Sequence, residues 1–298
     1  MAGFRPASWP HIEEDDEMTD SNRAGRLAGK VALVTGAGPG LGGAIATAMA
    51  REGARLVICD IASEALRTTA ERLAALGTEH LALSCDVSDS AAVDAMFAQA
   101  AQRFGSVDIL VNNAARVPNS PDEEARRNRH YAYVTTPMPR QALGIVPSLS
   151  DDDWLKWWGV NMHGVFWCTR AALRQMVPRR SGKIVNIASI AGLGTGSTHS
   201  PGYSATKAGV ISLTKTTALD VAGANIHVNA IACGGVLTPP FEDYLARASD
   251  EQKDRLFQMI PLGRIGRPEE YASLAVYLAT DEHYLVGQVI SPNGGLVI

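Results

Sequence analysis

Tyr203 and Lys207 stand four residues apart in the run Tyr203-Ser204-Ala205-Thr206-Lys207. On a helix this spacing puts two side chains on one face, their β-carbons about 5–6 Å apart. A phenol and an ammonium would then lie side by side. A free phenol titrates near pH ~10 and handles protons poorly at neutral pH. A neighbouring cation favours the phenolate. Moving the phenol to pH 7 takes roughly 4 kcal/mol, more than one lysine supplies, so a second positive charge is expected nearby. Taken alone, such a pair is most often a core tyrosine beside a solvated lysine rather than a proton-handling pair. The elements that position it decide between the two.

The first of these elements lies far upstream. Val31-Ala32-Leu33-Val34 has the continuous apolar character of a buried parallel strand. It runs into Thr35-Gly36-Ala37-Gly38-Pro39-Gly40-Leu41-Gly42-Gly43, and residues 44–52 then read as a helix ended by Gly53. A strand, a glycine turn and a helix start make a pyrophosphate site. Backbone N–H groups point at the phosphates, and the missing side chains let them approach. Arg55-Leu56-Val57-Ile58-Cys59 is the next strand, with Asp60 at its end. An acid about 20 residues beyond the glycines is placed to bind the adenosine ribose hydroxyls and to repel a 2′-phosphate. No Arg or Lys stands in the turn, so NAD is expected over NADP. The competing role for Asp60 is to cap the following helix.

Strand and helix patterns keep alternating. Helical stretches over 63–76 and 89–104 flank a strand at His80–Cys85 that ends in Asp86, and Val107–Val111 leads into Asn112-Asn113-Ala114-Ala115. Asp151 to Met176 is a long helical pattern with Asn161, a poor interior helix residue, in its middle. Lys183–Ala188 is a strand ending at Ser189, and the Tyr203/Lys207 helix runs to about Gly223 before a strand at Ile226–Ile231. This alternation predicts an α/β fold: a Rossmann-type doubly wound parallel sheet of about seven strands with helices on both faces. Residues 27–298 are expected to form one such domain.

Two stretches break the rhythm. Residues 1–26 carry Glu13-Glu14-Asp15-Asp16-Glu17 with few apolar anchors and read as a disordered extension without the apolar core of a signal peptide. Residues 116–149 hold five prolines and read as an inserted loop in which Ser120-Pro121 can start a short helix. That insertion either borders the substrate entrance or decorates a surface or oligomer contact.

The 298 residues carry a net charge of −4, which gives no nucleic-acid footprint. No apolar run approaches a membrane span. Cys59, Cys85, Cys168 and Cys233 show no metal-ligand spacing, and no metal is expected. Reduced thiols suit a cytoplasmic protein.

These pieces together resemble the short-chain dehydrogenases/reductases of the compact single-domain type. The matching residues are Thr35-Gly36-x-x-x-Gly40-x-Gly42, Cys85-Asp86-Val87, Asn112-Asn113-Ala114, Asn161, Ser189, Tyr203-x-x-x-Lys207, Thr238, and Arg264-x-Gly266-x-Pro268-Glu269-Glu270 through Gly294-Gly295. The resemblance implies that Tyr203 is the general acid/base and that Lys207 lowers its pKa and holds the nicotinamide ribose. Ser189 would bind the substrate oxygen, and Asn161 would kink its helix and hold a water linked to Lys207. The implied cofactor set is Gly36, Pro39, Gly40, Leu41, Gly42, Asp60, Ile61, Asp86, Val87, Asn113, Ala114, Gly234, Val236 and Thr238, with Tyr203 and Lys207. Asn112 would lie beside the cofactor, and Thr238 at its carboxamide. Oxidised nicotinamide would be the second positive charge.

The implied activity is NAD(H)-dependent interconversion of a secondary alcohol and a ketone, a small-molecule substrate, with residues 238–260 as a flap. The alternatives are an NADPH-dependent 3-oxoacyl-thioester reductase and a non-catalytic NAD-sensing scaffold. By the same analogy the chain is a homo-oligomer, a tetramer. Three departures stand out: the length of the 116–149 insertion, Cys233 before Gly234 where proline is common, and Asn293 where aspartate often precedes the final Gly-Gly.

Overall fold

The computed structural model describes residues 25–194 and 197–298. The expected extension over 1–26 falls almost wholly outside them. The described residues form one seven-stranded sheet in the order β3-β2-β1-β4-β5-β6-β7, and every pair is parallel. The strands are β1 (Val31–Thr35), β2 (Arg55–Asp60), β3 (His80–Ser84), β4 (Ile109–Asn112), β5 (Gly182–Ser189), β6 (Ile226–Cys233) and β7 (Val289–Ile290). The order reverses direction between β1 and β4, which leaves a crevice beyond their C-terminal ends.

Helices α1 (Leu41–Arg51), α2 (Ser63–Ala75), α3 (Ser90–Phe104), α6 (Val165–Arg179), α7 (Pro201–Val221) and α10 (Pro268–Ala279) cover the sheet. Every residue of β1 and β5 is buried, as a parallel sheet covered on both faces requires. One core layer packs Ile45, Met49, Leu56, Ile58, Val185 and Val276. The other packs Leu33, Val57, Phe97, Leu110, Met176 and Val228. Cys59, Cys85 and Cys168 meet in this second layer, far apart as they are in the chain. A hydrogen bond between Cys59 and Cys85 raises the pKa of the first thiol and lowers that of the second.

The structure departs from the sequence reading in two places. Residues 116–149 contain a full 15-residue helix, α4 (Pro121–Thr135). A capping box starts it: Ser120 Oγ accepts from the Glu123 amide at 3.3 Å, and Glu123 Oε2 accepts from the Ser120 amide at 2.9 Å. Three acidic residues in its first turn suit the positive helix end. The long 151–176 pattern is not one helix either. A short α5 (Asp151–Leu155) is followed by a π-helical turn over Gly159–Gly164, and only then by α6. Residues 238–260 hold two short helices, α8 (Pro239–Arg247) and α9 (Asp250–Gln258).

Asn293 has a local reason to differ from aspartate. Its Nδ2 donates to Val297 O at 2.8 Å and to Ser291 O at 3.1 Å, while its Oδ1 accepts from Val297 N at 3.1 Å. A carboxylate accepts but cannot donate. Asn293→Asp is therefore expected to lower stability by about 1–3 kcal/mol, measured by urea unfolding, because two carbonyls lose their donor and face a charge.

Candidate active site

The crevice between β1 and β4 is stitched by short-range polar bonds. Thr35 Oγ1 accepts from the Asn113 amide at 3.1 Å and the Ala114 amide at 3.0 Å. Asn113 Nδ2 donates to Thr35 O at 3.1 Å and to Gly36 O at 2.8 Å. The glycine turn is pressed against this stitch. Gly36 has φ of 62°, and a β-carbon on it would sit 2.6 Å from Ala114 Cα. One on Gly42 would sit 2.1 Å from Gly36 O. Both positions therefore exclude a side chain.

Helix α1 starts at Gly40 with no side-chain cap and no acid in its first turn. Its N-terminal end thus carries uncompensated positive dipole, the setting that suits a phosphate. Pro39 is exposed and Leu41 half-buried on this rim. Asp60 closes the turn from the side: Oδ2 accepts from Gly38 N at 3.2 Å and Oδ1 from Ala62 N at 3.0 Å. It therefore both organises the glycine turn and steadies the start of α2. The exposed Ile61 follows it, so no cation adjoins Asp60 along the chain there.

Asp86 Oδ1 accepts from the Ser88 amide at 2.9 Å and its hydroxyl at 2.7 Å, a tight turn after β3. The buried Val87 abuts Gly164 of the π turn. On the far side Thr238, which precedes α8, brings its methyl within 3.3 Å of where a β-carbon on Gly40 would stand. Val236 bridges to Gly266, and Gly234 lies against Asn293. This rim fits the chemistry of a dinucleotide: uncapped amides for phosphates and a carboxylate for a ribose diol.

Asn112 belongs elsewhere. Its Nδ2 donates to Asn186 Oδ1 at 2.8 Å and to Thr169 Oγ1 at 3.1 Å, and Asn186 continues to Thr214 at 2.9 Å. All four residues are buried. The expectation that Asn112 lies beside the cofactor is thus replaced by a role inside the protein, since its amide is spent on linking β4 and β5 to the covering helices.

The second half of the site stands at the ends of β5 and β6. Ser189, the last residue of β5, lies close enough to the Tyr203 phenol to lower its pKa. Its Oγ also accepts from Ala191 N at 3.1 Å. Lys207, one turn along α7, is buried and holds its Nζ 5.8 Å from the centre of the Tyr203 ring. The Nζ donates to Ile187 O at 2.7 Å.

The charges do not fall as sequence spacing suggested. Burial pushes the Tyr203 phenol up to about 12, against the Ser189 hydrogen bond, and pushes Lys207 down to about 8. Removing each group from water disfavours its charged form, which raises the phenol and lowers the ammonium. Cys233 closes the floor. Burial pushes its thiol up to about 12, which makes it a packed side chain rather than a reactive one.

Asn161 explains the π turn. It is fully buried, and its amide clamps the backbone of the β4 exit: Oδ1 accepts from Arg116 N at 2.7 Å and Nδ2 donates to Arg116 O at 3.0 Å. Nδ2 also reaches Thr206 Oγ1, next to Lys207, at 3.5 Å. An asparagine inside a helix found its use by distorting the helix around it. Trp157, missed as a site residue by sequence reasoning, packs edge-on against Tyr203 at 5.7 Å and fills the space over Gly202. The only sequence signal was its place among the tryptophans that precede Asn161.

Fold and site together define a doubly wound dinucleotide-binding protein with a serine, tyrosine and lysine grouped at the strand ends. The chain belongs to the short chain dehydrogenase family, whose sequence pattern matches residues 30–248. It is an oxidoreductase of that family, which binds a nicotinamide cofactor. Among its relatives, 3-oxoacyl-acyl-carrier-protein reductase FabG of Thermotoga maritima is 36% identical over 274 residues, covering 92% of this chain and 100% of that one. Sorbitol dehydrogenase of Cereibacter sphaeroides is 37% identical over 279 residues, 91% of this chain and 98% of the other. The crystal structure of levodione reductase superposes with a TM-score of 0.78 at 30% identity, over 90% of this chain and 98% of that one.

The segment before Tyr203 generates a pH dependence. His199 is buried and its Nδ1 lies 3.4 Å from Nδ1 of the buried His130. Burial, then His130, Arg127 and Arg126, push His199 down to about 3. The unfolded chain takes up its proton near pH ~6.5. Between these values the unfolded state binds more protons, so stability is intact above about pH 6.5 and falls as pH drops toward 3. His199→Gln should flatten this acid limb in denaturant titrations at pH 6.5 and 4, whatever its effect at neutral pH.

Proposed function

We propose that the protein is an NAD(H)-dependent dehydrogenase/reductase that interconverts a secondary alcohol and a ketone, with Tyr203 as general acid/base. The observation that carries the reading is the pairing of two placements. Asp60 is bonded into the glycine turn 3.2 Å from the Gly38 amide, and Ser189, Tyr203 and Lys207 are gathered at the ends of β5 and α7. A carboxylate at the ribose position disfavours a 2′-phosphate by repulsion and by the lack of a donor. Bound nicotinamide supplies or accepts the hydride.

The chain's own residues manage the oxygen. The Ser189 hydroxyl lies close enough to the Tyr203 phenol to lower its pKa, so an oxygen placed beside them meets two hydroxyls. Each stabilises the negative charge that grows on that oxygen during reduction. The phenol, its pKa pushed up to about 12, delivers the proton in reduction and is left as phenolate; in oxidation that phenolate takes the proton, a form that the positive charge of bound oxidised nicotinamide would favour. Lys207, at about 8, exchanges a proton close to neutral pH and is kept in place by the Ile187 carbonyl. Asn161 positions rather than reacts: it ties the β4 exit to α7 through Arg116 and Thr206. Trp157 fixes the ring of Tyr203. By analogy with the family, the protein is taken to be a cytoplasmic homo-oligomer.

A second reading, an NADPH-dependent 3-oxoacyl-thioester reductase, is favoured by the 36% identity to FabG. Asp60 weighs against it.

Two measurements test the proposal. Fluorescence titration should show NADH binding at least about tenfold tighter than NADPH, and Asp60→Ala should narrow the gap. Equal affinities in the unaltered chain would sink the assignment of NAD. Tyr203→Phe should keep NADH binding and lose about a thousandfold in turnover on whichever alcohol a panel of cyclic, aromatic and aliphatic secondary alcohols identifies. A rate close to normal would remove Tyr203 from the chemistry.

A further inference from the structure

Helix α4 does not lie on the surface as a decoration. It is fastened on three sides. Toward α8 and α9, Asn128 Oδ1 accepts from the Tyr244 hydroxyl at 3.0 Å, and the Arg127 guanidinium stacks 4.2 Å from the centre of the Tyr244 ring. Glu124 and Arg247 pair at 3.3 Å. Tyr131 adds apolar contact with the cluster built on Tyr244, Leu256 and Ile260. Toward α7, His130 meets His199 at 3.4 Å, and Tyr131 lies edge-on to His199 at 5.8 Å. Toward α5, buried Glu123 pairs with Lys156 at 3.0 Å.

His199 directly precedes Ser200, the residue that opens α7, and stands four residues before Tyr203. Helix α4 therefore joins the segment leading into the catalytic tyrosine to the helices that follow Thr238. On the functional reading above, these two elements flank the place where substrate would meet Tyr203. Exposed ion pairs such as Glu124–Arg247 add little individually. The contacts at buried His130 and at half-buried Tyr131 and Asn128 are what hold the three elements in register.

We propose that α4 is a specificity element, a fixed wall that closes the substrate chamber between α7 and α8/α9 and confines the reaction to a small free alcohol or ketone. A carbonyl borne on a long thioester arm needs an open channel for the arm, and α4, bonded to both Tyr244 and His199, would stand across such a channel. This rests on the functional reading above and names its substrate class.

The test uses the full-length protein with NADH and, in parallel, NADPH. Rates are measured on a panel of small cyclic and aliphatic ketones and on acetoacetyl-coenzyme A. The unaltered protein should prefer its best small ketone by at least about a hundredfold in kcat/KM. His130→Ala and Asn128→Ala, alone and combined, should narrow this preference by about tenfold, mainly through KM for the thioester, with NADH affinity unchanged. Hydrogen exchange should show slow amides over 121–135 in the unaltered protein and faster exchange over 239–258 in the variants.

Equal rates on thioester and ketone, or variants that leave both the preference and the exchange unchanged, would overturn the proposal. If a variant fails to fold, the unaltered protein still decides: rapid exchange throughout 121–135 means that α4 is no wall. If neither substrate class reacts, the functional reading falls, and the exchange pattern separately judges the wall.

Discussion

The structure depends on one constraint: two backbone segments must pass within van der Waals contact where the sheet changes direction. The glycine turn after β1 and the Asn113-Ala114 exit of β4 leave no room for a β-carbon at Gly36 or Gly42. Thr35 and Asn113 convert that closeness into four hydrogen bonds. Without them β1 and β4 would splay at their ends, and the crevice would lose the shape that aims α1 at a phosphate. The cost is conformational, since glycine loses the most backbone freedom on folding. The surrounding core, with β1 wholly buried, offsets it.

The same economy governs the proton-handling half. Tyr203 and Lys207 are withdrawn from water, and burial is the main cause that moves both away from their ordinary values, the phenol upward and the amine downward. Neither shift stabilises the fold. Both are sustained by neighbours with no chemical role: Ile187 offers its carbonyl, Trp157 backs the ring, and Asn161 holds the β4 exit against α7. The reactive groups are tuned chiefly by what excludes water from them.

Much of this was legible in the sequence because its signals are local. The glycine turn, the acid at the end of β2 and the four-residue spacing of Tyr203 and Lys207 each lie within a short window, and each lands on the same rim of the sheet. Asn161 was legible as an anomaly, though not as a π turn, because the backbone that it clamps lies 45 residues away. Asn112 misled for the same reason: its partners are 57 and 74 residues distant, and only the folded register says which way its amide turns. The prolines around α4 masked a helix whose capping box was present at Ser120 and Glu123. The two-residue β7 has no periodicity to read. The phenol's upward shift was invisible too, since spacing reveals the neighbouring ammonium and not the loss of solvent.

The π turn at Gly159–Gly164 carries a consequence for how this helix tolerates change in length. A π turn is an α-helix carrying one residue too many, and each residue turns the chain by about 100°. Trimming one residue from it would heal the hydrogen-bond ladder and make a more regular helix. It would also rotate everything on the N-terminal side, so that Trp157 would leave Gly202 and Tyr203, and Lys156 would leave Glu123. Local regularity and the alignment of the site are thus opposed at this point. The surplus residue acts as a phase shifter, setting the angular register between the wall that backs the tyrosine and the helix that packs on the sheet.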